Sequence, residues 1–95
     1  MIVRWTRQAI NDRALIFDYL APKNPSAALA IDRSFEHSAT QLKQFPHSGR
    51  IGLVAGTREL LPHPSYRLVY EIEDGQVTIL AIVHTSRLWP PAEDE

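Results

Sequence analysis

The dipeptide Asp74-Gly75 is the feature that most constrains how this chain can fold. A two-residue hairpin turn of type I′ needs positive φ at both central positions, and Asp-Gly is among the sequences that accept this best. Apolar residues flank it on both sides, so two antiparallel strands are predicted here. A second break is the Pro-His-Pro run at 62–64. Because proline cannot donate to a strand ladder, a strand around Leu60 is expected to stop there. Segment 57–89 is therefore predicted to form three short strands joined by two tight turns.

A two-residue turn also fixes the register of the hairpin. It pairs Glu73 with Gln76, then Ile72 with Val77, Tyr70 with Ile79, Leu68 with Ala81 and Tyr66 with Val83. The apolar pairs share one face, the predicted core side, because side chains alternate along a strand. The opposite face carries Arg67, which this register sets opposite Ile82 and diagonal to His84, at a Cβ separation of roughly 7–8 Å. Arg67 is either a functional residue beside a histidine, or a structural residue whose aliphatic chain packs over the edge of the core while its guanidinium stays in water.

The N-terminal half predicts a strand and two helices. Residues 2–5 form a short apolar strand, and Thr6 is suited to cap a helix from Arg7 to about Leu20. Asn24-Pro25 begins a second helix, which extends to about Gln44. The residues expected to face the core are Ile10, Ala14, Phe17 and Ala21 in the first helix, and Ala28, Ile31, Phe35, Ala39 and Leu42 in the second. The short connection between the helices favours an antiparallel pair.

The predicted order of elements is β-α-α-β-β-β. Runs of helices beside runs of strands are typical of an α+β fold with two layers, here an N-terminal strand and a helix pair packed on an antiparallel sheet. The length of 95 residues suits a single domain, assigned to residues 1–90. The acidic tail, residues 91–95, is expected to be frayed.

Composition excludes several classes of function. The chain has no cysteine, so it has no disulfide, thiol nucleophile or cysteine-bound zinc. Its four histidines lack the spacing of metal ligands, so neither a metal nor a cofactor is expected. The glycine-bearing loop 46–56 lacks the pattern of a phosphate-binding P-loop. No apolar run approaches the roughly 20 residues of a membrane span, and there is no signal-peptide pattern, so a cytoplasmic protein is expected.

Charge is unevenly distributed along the chain. The formal net charge of −1 argues against simple non-specific binding to nucleic acid. From Lys43 to Arg67, however, the chain carries four basic residues against one acid, Glu59. The four are Lys43, Arg50, Arg58 and Arg67. A local basic face can attract an anionic partner within a Debye length of about 8 Å. Arg50 either reaches such a partner or is simply solvated, and ordinary surface scatter also explains these counts.

Three segments carry the most specific signals in the sequence. They are Gly56-Thr57-Arg58-Glu59-Leu60, Tyr66-Arg67-Leu68-Val69-Tyr70 and Val83-His84-Thr85-Ser86-Arg87-Leu88-Trp89-Pro90. With the helix starts, they resemble the RelE/ParE superfamily of bacterial type II toxins over nearly the whole chain. The resemblance implies a growth-inhibiting toxin neutralised by an antitoxin that is encoded alongside and wraps it. RelE-like members cleave mRNA in the ribosomal A site, which is the leading expectation here, whereas ParE-like members inhibit DNA gyrase.

The RelE-like alternative assigns roles to particular residues by resemblance. Arg67 lies in the strand that carries RelE's catalytic arginine, and the spacing to Arg87 fits the second catalytic arginine. Arg58 falls where RelE has the first of two lysines, so Arg58, together with Arg50, is a candidate phosphate contact. Arginine suits this task because its planar fork binds phosphate oxygens in pairs and keeps its charge. An antitoxin is expected to cover the Arg58/Arg67 face or the groove beside the helix pair.

Two departures from RelE concern the proton-transfer groups. The second lysine position is Leu60 here, and RelE's C-terminal tyrosine has no counterpart after Trp89. His84 is the candidate acid or base in their place, since an unperturbed imidazole titrates near pH 6.5. The implied reaction is metal-independent: the ribose 2′-hydroxyl attacks the adjacent phosphate, which needs an acid, a base and cations for the phosphorane. If the protein only binds its target, His84 is dispensable.

Overall fold

In a computed structural model that describes residues 1–92, two helices pack on one face of a five-stranded sheet. The elements are β1 (Ile2–Trp5), α1 (Arg7–Leu20), α2 (Pro25–Gln44), β2 (Arg50–Ile51), β3 (Arg58–His63), β4 (Tyr66–Glu73) and β5 (Gln76–His84). The predicted two-layer α+β fold is confirmed. The strand order is β1-β5-β4-β3-β2, and β1 runs parallel to β5, so the sheet is mixed and not antiparallel throughout as predicted. Of the tail predicted to be frayed, residues 91–95, the last three, Glu93, Asp94 and Glu95, lie outside the described residues.

The central hairpin forms at the predicted turn. Asp74 and Gly75 have φ of 53° and 75°, as a type I′ turn requires, and the pairing is as predicted from the turn back to Tyr70 and Ile79. Beyond that point the register shifts by one residue, because Leu80 is an extra residue in β5. Such a bulge moves every later side chain of its strand to the other face.

The bulge corrects three of the predicted pairings. Leu68 pairs with Ile82 instead of Ala81, Tyr66 pairs with His84 instead of Val83, and Arg67 lies opposite Val83 instead of Ile82. The run from Ile79 to Val83 is apolar throughout, so the period-two pattern that normally reports register is absent. The sequence of β5 therefore fits either register.

Helix α1 holds the bulge in place through two polar contacts. The Thr6 hydroxyl donates to the carbonyl oxygen of Leu80 at 3.0 Å, and the carboxylate Oδ2 of Asp12 accepts the N–H of Ile82 at 3.0 Å. Thr6 is also the N-cap of α1, as predicted, and accepts the N–H of Ala9 at 3.1 Å. These two backbone groups lie beyond the last β1–β5 pair, Trp5 with Ile79, and find their partners at the neighbouring helix.

The core-facing stripe of α2 is confirmed, whereas in the predicted stripe of α1 only Phe17 and Ala21 are half-buried. Ile10 and Ala14 are exposed, and Ala9 is the buried residue of α1. Arg13 turns towards α2, where it makes paired bonds of 2.7 and 3.0 Å with Asp32 and one of 2.9 Å with Glu36. These charge-assisted contacts raise the pKa of Arg13, first through the Asp32 bond. Arg13 therefore shares the inward face of α1 with Ala9 and Ile16, and apolar spacing alone does not report the rotation of this helix.

Strand β3 does not stop before Pro62 as predicted. It continues to His63, which pairs with Tyr66, but the pairing is irregular between Leu60 and His63. The missing N–H of Pro62 falls in this irregular part, where no ladder bond is needed. The prolines therefore loosen the pairing of β3 without ending the strand.

The loop between α2 and β3 is anchored to the middle of the sheet. The fully buried Tyr70 donates its hydroxyl hydrogen to the carbonyl of Pro46 at 2.7 Å and accepts the N–H of Gly49 at 2.9 Å. A Cβ at Gly49 would lie 2.6 Å from the Tyr70 hydroxyl oxygen and 2.9 Å from the carbonyl of Glu59. Only glycine fits so close to Tyr70 and β3. This close contact places the following residue, Arg50, beside β3.

Candidate functional site

Arg67 and Arg50 converge on one buried carboxylate, that of Glu59. Arg67 Nη1 lies 3.2 Å and Arg50 Nη2 lies 3.3 Å from Glu59 Oε1, and the N–H of Leu53 donates to Oε2 at 3.2 Å. Strand pairing explains the arrangement, because Glu59 lies opposite Arg50 on β2 and opposite Val69 on β4. Val69 follows Arg67 by two residues, so both point to the same face of β4. Side chains of Arg50, Glu59 and Arg67 thus share the face of the sheet away from the helices. We call these three residues the Glu59 cluster.

The interior of the Glu59 cluster is withdrawn from water. The Glu59 side chain is 1% exposed and that of Arg67 is 14% exposed, whereas Arg50 is 60% exposed. A carboxylate at this depth costs several kcal/mol unless it is paired, and here two guanidinium groups and one N–H compensate it. Arg67 Nε is buried and has no hydrogen-bond partner within residues 1–92. Two positive charges and one negative charge leave the cluster with one net positive charge.

Arg58 lies on the opposite face of the sheet from Arg67. It pairs with Tyr70 on the helix side, and its Nη1 donates to the carbonyl oxygens of Gly49 at 2.8 Å and His47 at 3.3 Å. There it lines a shallow cavity of about 260 Å³ together with His47, Ile51, Gly56, Thr57 and Ile72. The expected common Arg58/Arg67 face is therefore wrong, because consecutive residues of β3 point to opposite sides.

His84 also lies away from Arg67. The bulge in β5 places it beside Tyr66 on the helix side, with ring centroids 5.2 Å apart and nearly perpendicular. Its Nδ1 accepts the N–H of Ser86 at 3.1 Å and lies 2.7 Å from the Ser86 hydroxyl. A neutral imidazole that accepts at Nδ1 carries its hydrogen on Nε2. The predicted diagonal contact between Arg67 and His84 is wrong.

Arg87 follows β5 on an exposed turn. Its backbone N–H donates to the carbonyl of His84 at 2.9 Å, and its guanidinium makes no ion pair or hydrogen bond with residues 1–92. Of the five predicted site residues, the structure brings together Arg50 and Arg67, and separates Arg58 and His84 from them. The described part of the chain contains no group of three His, Asp or Glu side chains placed to hold a metal ion. It also contains no helix long and apolar enough to cross a membrane.

The residue that sequence reasoning missed is Glu59. It stood out as the single acid among four bases, but its partner depends on the β3–β4 register, which the irregular turn at 62–64 leaves open. As arranged, the Glu59 cluster can hold the 50–53 segment against the sheet and present Arg50 to a partner. In this arrangement the carboxylate of Glu59 already takes Nη1 of Arg67, so a phosphate would have to compete with Glu59 for that donor.

Comparison with known proteins identifies the family. Residues 3–89 match the model of the ParE toxin of the type II toxin–antitoxin system parDE. The chain belongs to this toxin family. Toxin RelE2 of Caulobacter vibrioides is 36% identical to it over 86 residues, which cover 90% of this chain and 97% of that protein. Because the family model carries the ParE name and this relative the RelE name, names alone do not separate the two activities.

Solved structures agree with the fold of this family member. The chromosomal ParDE toxin–antitoxin system from P. aeruginosa includes a chain that superposes with a TM-score of 0.79 at 26% identity, covering 88% of this chain and 95% of that one. The isolated E. coli RelE toxin superposes with a TM-score of 0.62 at 14% identity, covering 93% and 87%. The second likeness shows the fold alone. The resemblance to the RelE/ParE superfamily that the sequence motifs indicated is confirmed.

Proposed function

We propose that this toxin arrests growth by binding its target without cleaving RNA, and that the target is DNA gyrase, as for ParE-like members of the superfamily. One observation carries the proposal: the bulge at Leu80 separates His84 from Arg67 by the full thickness of the sheet. Cleavage needs a proton-transfer group and a phosphate clamp on the same phosphodiester. The pairing of Arg67 with Glu59 supports the same conclusion. Both targets would be met in the cytoplasm, so that location is part of the proposal.

The experiment compares the two activities on one preparation of refolded protein. A supercoiling assay with purified gyrase measures inhibition, and primer extension on ribosomes programmed with a defined mRNA and an open A site measures cleavage. We expect inhibition of supercoiling and no new A-site cuts. His84→Ala should keep its toxicity in cells, because target binding needs no acid or base. New A-site cuts that disappear in Arg67→Ala would overturn the proposal.

A second candidate function is ribosome-dependent mRNA cleavage, which the name of the 36% identical relative, Toxin RelE2, favours. In that case Arg67 would bind the scissile phosphate, Arg58 and Arg87 flanking phosphates, and His84 would transfer a proton. The phosphate would have to displace Glu59 from Arg67, and Arg58 and His84 would have to be reached from the other face. Early arrest of protein synthesis in cells would point to this function, whereas DNA damage signalling and filamentation point to gyrase.

We also propose a cognate antitoxin, encoded by a neighbouring gene, as the partner that neutralises this toxin. The family is defined by toxin–antitoxin pairs, and solved relatives include such complexes, among them the ParDE system from P. aeruginosa. A disordered acidic or apolar segment that folds on binding is the expected form of such a partner. Co-expression of the adjacent small open reading frame should restore growth and yield a complex that co-purifies. Continued toxicity with both chains expressed would contradict the pairing.

A further inference from the structure

Glu59 occupies a position that an external anion could fill. We propose that Arg50, Arg67 and the backbone N–H of Leu53 form a phosphate-binding site, which the carboxylate of Glu59 keeps closed. All three donors point at the two oxygens of one carboxylate, at 3.2 to 3.3 Å. Convergent guanidinium groups with a backbone N–H are the donors that bind phosphate oxygens in proteins. The protein therefore contains an anion site filled by its own side chain.

The fit of Glu59 in this site is incomplete. Charge-assisted bonds between a cationic N–H and a carboxylate are usually about 2.7–2.9 Å long. Arg13 and Asp32 of this chain reach 2.7 Å, but every contact of the Glu59 carboxylate is longer than 3.1 Å. In addition, Arg67 Nε is buried without a partner in the described residues. A phosphate offers more acceptor oxygens than a carboxylate and could satisfy this donor as well.

The site is reachable from one side. Arg50 lies at its mouth with 60% of its side chain exposed, and Leu53 beside it is exposed, while Arg67 lies inside at 14%. An anion would meet Arg50 first and then compete with Glu59 for Arg67. Without Glu59 the site carries two positive charges instead of one, so its attraction for an anion increases.

This inference rests on the proposed function and extends it, since Glu59 becomes the residue that keeps RNA phosphates off Arg67. The test below measures inorganic phosphate and needs neither gyrase nor ribosomes. Its failure would leave the gyrase assay unaffected, and failure of the gyrase assay would leave the phosphate site unaffected.

The test is thermal unfolding of the full chain in 10 mM sodium phosphate and in sodium chloride of equal ionic strength and pH. Glu59→Ala removes the carboxylate, Glu59→Gln keeps its volume without charge, and Glu71→Ala is the matched control. Glu71 lies on the same face of β4 as Arg67 and makes no ion pair within residues 1–92, so its loss changes net charge equally. A phosphate Kd of about 1 mM would raise the folding equilibrium constant about tenfold at this concentration.

We expect a phosphate-specific rise in Tm for Glu59→Ala, a smaller rise for Glu59→Gln, and none for the wild type or Glu71→Ala. Adding Arg67→Ala to Glu59→Ala should abolish the rise. If Glu59→Ala is unfolded in chloride, phosphate should refold it, as far-UV circular dichroism would show. Equal responses in wild type and variants, or no response from either Glu59 variant, folded or unfolded, would overturn the proposal.

Discussion

Substitution of Asp12 tests whether helix α1 sets the register of β5. Asp12 Oδ2 accepts the N–H of Ile82 at 3.0 Å, and Ile82 is 4% exposed. Asp12→Ala leaves this N–H unpaired in a buried position, and a hydrogen bond to a charged group contributes about 1.5–3 kcal/mol. We expect the free energy of unfolding to fall by about 2 kcal/mol. For a domain of this size the Tm should then drop by about 8–16 °C.

Two matched variants sharpen this test. Asp12→Asn keeps an oxygen that can accept from Ile82, so it should lose roughly half as much stability. Asp18→Ala removes an exposed aspartate of the same helix that makes no hydrogen bond within residues 1–92, and should change stability by less than about 0.5 kcal/mol. Urea denaturation measures all three, and amide hydrogen exchange should quicken at Ile82 in Asp12→Ala. A stability loss no larger than in Asp18→Ala, with Ile82 still protected, would refute the reasoning.

Three further predictions concern stability. Tyr70→Phe removes a hydroxyl with two hydrogen-bond partners and should lower the free energy of unfolding by about 1–3 kcal/mol. The exposed Tyr19→Phe should leave it unchanged in urea denaturation. Burial raises the pKa of Tyr70, so the neutral phenol stabilises the folded state fully below pH 10, and this stabilisation is lost as the pH rises through the folded pKa. Tyr70→Phe should therefore reduce the loss of stability at alkaline pH, which unfolding measured as a function of pH would show. Gly49→Ala should cost about 1–3 kcal/mol through the clash with Tyr70, and an unchanged Tm would contradict it. Arg13→Ala should lower the free energy of unfolding by about 1.5–3 kcal/mol, because it removes the ion pairs with Asp32 and Glu36. The exposed Arg33→Ala should lower it by less than about 0.5 kcal/mol, and equal losses in urea denaturation would contradict a stabilising contact between the helices.

The parts of the fold that were predictable have local causes. Asp74-Gly75 forms its type I′ turn because backbone sterics decide it, and Thr6 and Asn24 cap their helices because a side-chain oxygen lies within reach of a free N–H. The stripe of α2 follows from apolar spacing alone. The rotation of α1 could not be predicted, because Arg13 and Asp12 face inward to partners that are distant in sequence.

The candidate site was only partly predictable for the same reason. Arg67 was correctly placed on a mid-sheet strand, but its partner Glu59 depends on the β3–β4 register, and its distance from His84 depends on a bulge that the apolar run 79–83 conceals. Both features are set by contacts across more than one element. Periodicity within a single strand carries no information about them.

The position of His84 shows why residues that match a family motif are weaker evidence for catalysis than residues that share one face of the sheet. A regular β5 would have placed His84 on the side of Arg67, where a clamp and a proton-transfer group could act on one phosphate. One extra residue, Leu80, moves His84 to the helix side while leaving the motif intact in sequence. Glu59 then pairs with Nη1 of Arg67, so an external anion would have to compete for that donor. Under the proposed function, the strand register and one buried acid together separate target binding from RNA cleavage, although every arginine stays in place.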